Sequence, residues 1–95
     1  MTIVVKEVGK RPEVREIEGT LKEMQKIVGG YIEAVYLPDQ IAVVCNEEGK
    51  LMELRPNMKF GWDIICGDAF FVGVGEEDFV SLTETQVDII LNFFR

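Results

Sequence analysis

Four side chains with different binding chemistries fall within eight residues in Arg55-Pro-Asn-Met-Lys-Phe-Gly-Trp62, and Asp63 follows directly. A guanidinium, an ammonium, an amide and an indole can together hold an anionic ring, through charge, paired hydrogen bonds and stacking. Arginine and tryptophan are also enriched where partner proteins anchor, and loops carry function more often than cores do. Arg55, Asn57, Lys59, Trp62 and Asp63, with Asn46 from the Asn46-Glu-Glu-Gly49 turn, are therefore the candidate binding residues. A packing role competes with this one: Phe60 and Trp62 fold inward to plug the sheet, while Arg55 and Lys59 balance nearby acids.

Other chemistry finds little support. The chain has no histidine, so Ser-His and Cys-His nucleophilic pairs are excluded, and the lone Ser81 sits beside the start of a helix. Cys45 and Cys66 are the only cysteines. Neither belongs to a CxxC pair, so a zinc site lacks ligands. Both lie in apolar runs, IAVVC and DIIC, where a free cysteine packs as a small hydrophobe. A bond between them requires adjacent strands, and is not expected. The acids Glu47-Glu48, Glu76-Glu77-Asp78, Glu16 and Glu18 offer carboxylate pairs, but they read as solvated surface charge. Asp63 and Asp68 interrupt apolar sequence, and Asp68 beside Gly67 reads as a turn former capping its own backbone. GDAFFVGVG lacks the GxxxxGK[ST] spacing of a phosphate loop. No cofactor is expected, and the domain is expected not to be an enzyme.

The net charge of −7, from 17 acids and 10 bases, repels a phosphate backbone, so nucleic acid is not an expected partner. The best cationic group, Lys6, Lys10, Arg11 and Arg15, is interrupted by Glu7, Glu13 and Glu16. No apolar run approaches the ~20 residues that span a bilayer, so no membrane is expected either. In MTIVVKEV charge enters before an apolar stretch of useful length, which predicts a cytoplasmic protein.

The elements that position these residues follow from local signals. With 95 residues, one domain over residues 1–95 is expected, and an apolar fraction of 47% suffices for one core. Thr20-Leu-Lys-Glu23 is a capping box, followed by the stripe Leu21, Met24, Ile27, Val28 and by Gly29-Gly30, which predicts a helix over about 20–29. Thr83-Glu-Thr-Gln86 is a second capping box, with Leu82 and Val87 as a hydrophobic staple. Val87, Ile90, Leu91 and Phe94, helped at the margins by Ile89 and Phe93, form the buried stripe of a helix running to the chain end.

Elsewhere the chain reads as strands. Residues 2–8 and 13–18 form one hairpin, and 31–37 and 41–46 a second around Pro38-Asp39-Gln40. Residues 51–54 read as a short edge strand, 55–62 as a loop, 64–74 as one bulged strand or two, and 79–82 as a last strand. The order β-β-α-β-β-(β)-β-β-α predicts an α+β fold with a mostly antiparallel sheet built from hairpins and two helices. IVVKEV and YIEAVYL are apolar on both faces, so either helices cover parts of both faces or one face meets another subunit.

Gly29-Gly30-Tyr31-Ile32-Glu33, Asn46-Glu47-Glu48-Gly49-Lys50-Leu51 and Pro56-Asn57 lie within segments that together span nearly the whole chain. In these the sequence resembles a family of small domains of unknown function, found mainly in phages, plasmids and conjugative elements of Gram-positive gut bacteria. It departs from the family at Arg55, where members often carry proline, and in a shorter stretch between Asn57 and Asp63. The resemblance implies a mobile-element context and no established activity. The expectation is a non-enzymatic accessory protein that binds a protein partner, with homo-oligomers among the outcomes. The alternative is a module that binds or sequesters a small, nucleotide-like molecule through Arg55, Asn57, Lys59 and Trp62.

Overall fold

Both helices start where their capping boxes place them. In the computed structural model, which describes residues 1–95, α1 covers Leu21–Val28 and α2 Glu84–Phe93. Thr20 accepts a hydrogen bond from the Glu23 amide at 3.2 Å, and the Glu23 carboxylate accepts from the amides of Gly19 at 2.8 Å and Thr20 at 3.1 Å. At α2, Thr83 accepts from the Gln86 amide at 3.1 Å and Gln86 accepts from the Thr83 amide at 2.9 Å. Gly29, left-handed at φ 77°, ends α1.

The strands are β1 (Thr2–Lys6), β2 (Glu13–Glu16), β3 (Ile32–Leu37), β4 (Ile41–Asn46), β5 (Pro56–Phe60), β6 (Asp63–Cys66), β7 (Ala69–Val74) and β8 (Phe79–Val80). The fold is α+β, and every strand pair is antiparallel. The main sheet runs β2-β1-β7-β4-β3, with β8 on β7, while β5 and β6 form a separate hairpin. Both expected hairpins are present: Val4 pairs with Val14, and Val35 with Val43.

Three expectations, on residues 51–54, on 55–62 and on Asp68, are corrected, and the choice between one bulged strand and two over 64–74 is resolved. Residues 51–54 are turn rather than edge strand: the Leu54 amide folds back to the Gly49 carbonyl at 2.9 Å. The segment 55–62 is no loop, because residues 56–60 form β5 and pair with β6. The apolar stretch 64–74 is two strands, broken at Gly67-Asp68, where Gly67 takes a left-handed φ of 86°. Asp68 does not cap its own backbone there; its carboxylate accepts from the Val8 amide at 2.9 Å.

Strands that are apolar on both sides are explained by helices on both faces. On one face α1 lays Met24 and Val28 over Ile3, Val5, Val44 and Phe70. On the other, α2 and the β5–β6 hairpin bring Ile90, Met58 and Ile65 over Val4, Val43 and Phe71. Each of these fully buried side chains contributes about 1.5–3 kcal/mol by leaving water. The stripe assignments change at three residues: Leu21 stands exposed on α1, and Ile89 and Phe93, expected at the stripe's margins, stand exposed on α2. No helix is long and apolar enough to cross a membrane.

Candidate functional site

The hairpin β5–β6 carries most of the candidate residues, and its turn explains its form. Phe60 pairs with Asp63 across a two-residue connection, Gly61-Trp62. Gly61 has φ 60° and Trp62 does not, the pattern of a II′ turn, which needs glycine at its first central position. Phe60 and Trp62 therefore have opposite fates. Phe60 packs at the rim of the core, 6.1 Å from Phe71 and edge-on to it. Trp62, at the tip, is 99% exposed.

Asn57 lies at a register shift in β5, and its amide is fully used. Its Nδ2 donates to the Lys6 carbonyl at 2.7 Å and the Gly67 carbonyl at 2.9 Å, and its Oδ1 accepts from Lys6 Nζ at 3.1 Å. These bonds fasten the hairpin to β1. They also satisfy Lys6, a buried cation whose other contacts are the Glu7 carbonyl at 2.9 Å and the Phe94 ring at 5.9 Å. Asn46, only 4% exposed, donates to the Val28 carbonyl at 3.2 Å and accepts from the Glu48 amide at 2.8 Å. It fastens the end of α1 to the end of β4.

Two glycines of the signature segments belong to the same joint. A Cβ at Gly30 would stand 2.8 Å from Asn46 Nδ2, and one at Gly49 2.8 Å from the Cys66 carbonyl. Neither distance is one that a real side chain keeps, so the signature around Asn46 serves close packing.

The candidate residues do not converge on one concavity. Asn46 and Asp63 border one cleft together with Cys45, Cys66 and Lys50. Arg55 borders another, beside Leu54 and Asp68. Lys59 and Trp62 are exposed on the hairpin. Both cysteines are free. Burial pushes the Cys45 thiol up to about 11, with help from the Glu33 and Asp63 carboxylates, which keeps it protonated at neutral pH. Two cations of the first hairpin are paired: Lys10 lies 2.9 Å from Glu7, and Arg15 3.2 Å from Glu13. The Glu7 carboxyl is lowered by the hydrogen bond and charge of Lys10.

A different feature stands open. Between α2, the β5–β6 hairpin and the β3–β4 turn lies an apolar groove of about 220 Å³, with Leu37, Phe60, Phe71, Ile89, Ile90 and Phe93 in its walls and Asp39 at its edge. Phe93, 61% exposed, stacks on Phe60 at 5.6 Å and meets Phe94 edge-on at 5.0 Å. Gln86 holds the nearby turn in place, donating to the carbonyls of Asp39 at 2.9 Å and Gln40 at 3.0 Å. The sequence reading places Ile89 and Phe93 at the margins of the buried stripe. The available signal was their i, i+4 spacing, which makes a second apolar row beside Val87, Ile90, Leu91 and Phe94.

The family model described as Domain of unknown function (DUF3846) matches residues 1–95, and the chain belongs to that family. No curated protein and no solved structure matches it.

Proposed function

We propose that this DUF3846 domain is a non-enzymatic accessory protein of a mobile genetic element, and that it acts by holding a protein partner in the groove between α2 and the β5–β6 hairpin. The observation that carries the proposal is the aromatic wall of that groove, where Phe60 and Phe71 are lined up with Ile89 and a Phe93 left largely in water. Exposed apolar side chains gathered around a concavity are the usual form of a protein-binding surface.

At about 220 Å³ the groove is smaller than the 300–1,000 Å³ typical of small-molecule pockets, which favours one or two inserted side chains. The preferred partner presents an aliphatic or aromatic anchor flanked by cations, because Asp39 edges the groove, Asp88 lies exposed on α2 and the chain carries −7 overall. Support for a non-catalytic role comes from the protonated Cys45 thiol and from the amides of Asn46 and Asn57, which are committed to structural bonds. Support for the mobile-element setting comes from the resemblance carried by the signature segments.

A photo-crosslinking residue placed at Phe93 in host cells tests the surface, with Leu21 on α1 as the exposed apolar control. The expected result is a discrete adduct from position 93 and none from position 21. The identified partner, purified, then loses about 30-fold in affinity for Ile89→Asp, the size of a hot-spot loss of about 2 kcal/mol. Equal labelling from both positions, or an unchanged affinity, refutes the assignment.

A further inference from the structure

The main sheet ends in two edges of different character. At one, β2 is four residues long, three of them charged (Glu13, Arg15 and Glu16), and it follows Pro12. Short, charged edges beside proline are how proteins discourage strand-to-strand association. At the other, β3 runs six residues without a bulge or proline, and Glu33 is its only charge. Nothing in the chain pairs with its outer side.

The orientation of that free edge follows from one bond. The Tyr31 carbonyl accepts from the Glu47 amide at 2.8 Å, so the odd residues of β3 turn their backbone groups toward β4. By alternation, Ile32, Ala34 and Tyr36 present theirs outward, and no loop amide, loop carbonyl or side chain takes them.

We infer that β3 pairs antiparallel with β3 of a second copy of this chain, about a two-fold axis through Ala34, making one continuous sheet across the dimer. A second copy is the occupant because β3 is complementary to itself in this register. A perpendicular two-fold axis keeps each face continuous with its counterpart, so residues opposite one another must share a face. Centring on Ala34 sets Ala34 opposite its own copy and Ile32 opposite Tyr36, so all three outward residues become hydrogen-bonded pairs that exchange two bonds each.

The side chains agree with the backbone. Ile32 falls beside Tyr36, an aromatic and β-branched pair of the kind that stabilises sheets, and Leu37 falls beside Tyr31. Tyr31 and Tyr36 are 66% and 68% exposed in the single chain, and this register gives both an apolar neighbour. The one charge, Glu33, falls opposite Val35 and not opposite its own copy. Centring on Val35 instead would leave only Ala34 and Tyr36 in hydrogen-bonded pairs, because Ile32 would fall opposite Pro38, which lies past the end of β3 and has no amide to donate.

The test begins with the mass of the wild-type chain in solution, expected at twice 10.8 kDa. Ala34→Pro removes an amide that β4 does not use, and proline is tolerated on an edge, so this variant is expected to be a folded monomer. Should it fail to fold, single cysteines carry the test under mild oxidation. Ala34→Cys links to itself, Tyr36→Cys alone does not, and Tyr36→Cys mixed with Ile32→Cys does. Val14→Cys on the opposite edge and the wild-type chain are the controls, with no linked dimer expected from either. A monomeric wild type up to millimolar concentration overturns the inference, as does a dimer that survives a folded Ala34→Pro or a link from Val14→Cys equal to that from Ala34→Cys. A monomer whose β3 amides are protected by an added extended peptide would identify a different occupant and equally overturn it.

Discussion

The two faces of the sheet are closed in different ways. On one, the eight-residue α1 lays Met24 and Val28 across Ile3, Val5, Val44 and Phe70, and is fixed at both ends by the Thr20–Glu23 box and by Gly29. On the other, a longer helix and a separate hairpin share the work, and a groove remains along their seam. The second cover has more apolar residues yet closes less completely. Its pieces are attached independently: α2 follows β8, while the hairpin is fastened largely by the Asn57 bonds. Sealing a face therefore depends on how the cover is anchored, and a cover made of two parts leaves room for a third.

The largest effects should be alike on the two faces. Phe70 and Phe71 are adjacent on β7, both buried, and point to opposite sides. Replacing either with alanine should cost about 3–5 kcal/mol in a denaturant melt, with one shared transition. Two separable transitions would mean that the faces are independent units. A smaller and asymmetric loss is expected from Asn57→Ala, about 1–3 kcal/mol, because Lys6 and two carbonyls lose a partner. Hydrogen exchange should then speed up in the hairpin and leave α1 unchanged; a uniform increase would contradict a local clamp.

Smaller still are the caps. Thr20→Ala and Thr83→Ala should each cost about 1 kcal/mol in urea, and a negligible loss at Thr83 would deny that cap any role. Phe93→Ser sharpens the contrast from below. Its ring is largely exposed but touches Phe60 and Phe94, so stability should fall by about 1 kcal/mol, while binding through the groove is lost.

Acid should separate the two caps as well. The Thr20 amide, and then those of Glu18 and Gly19, hold the Glu23 carboxyl below its ordinary 4.5. A carboxyl lowered in this way stabilises the fold above its unfolded value, and that contribution disappears as pH falls through the folded value. Below about pH 4.5 the Gly19 and Thr20 amides should therefore lose protection. The Thr83 amide, bonded to the uncharged Gln86, should not.

What was legible in the sequence was local. Capping boxes, Gly29 and the Pro38-Asp39-Gln40 turn act within a few residues, so both helices and two hairpins could be placed. The β5–β6 hairpin was missed because Pro56, Asn57 and Lys59 obscure the alternation of Met58 and Phe60, although the Gly61-Trp62 pair is itself a hairpin signal. Asn46 and Asn57 drew attention as amides free to bind, whereas each is committed to bonds across 18 or 51 residues of chain. Nothing local in the sequence announces such partners. The groove was invisible for the same reason, since its walls come from β3, β5, β7 and α2.

The exposed tip of the β5–β6 hairpin has a practical consequence for spectroscopy. The chain's only indole already stands in water when folded, so its emission should be red-shifted in the native state and change little as the core melts. Tryptophan fluorescence would thus follow unfolding poorly. It would instead be a background-free reporter of contact at one point on the surface, where a blue shift or quenching means that something has reached the hairpin.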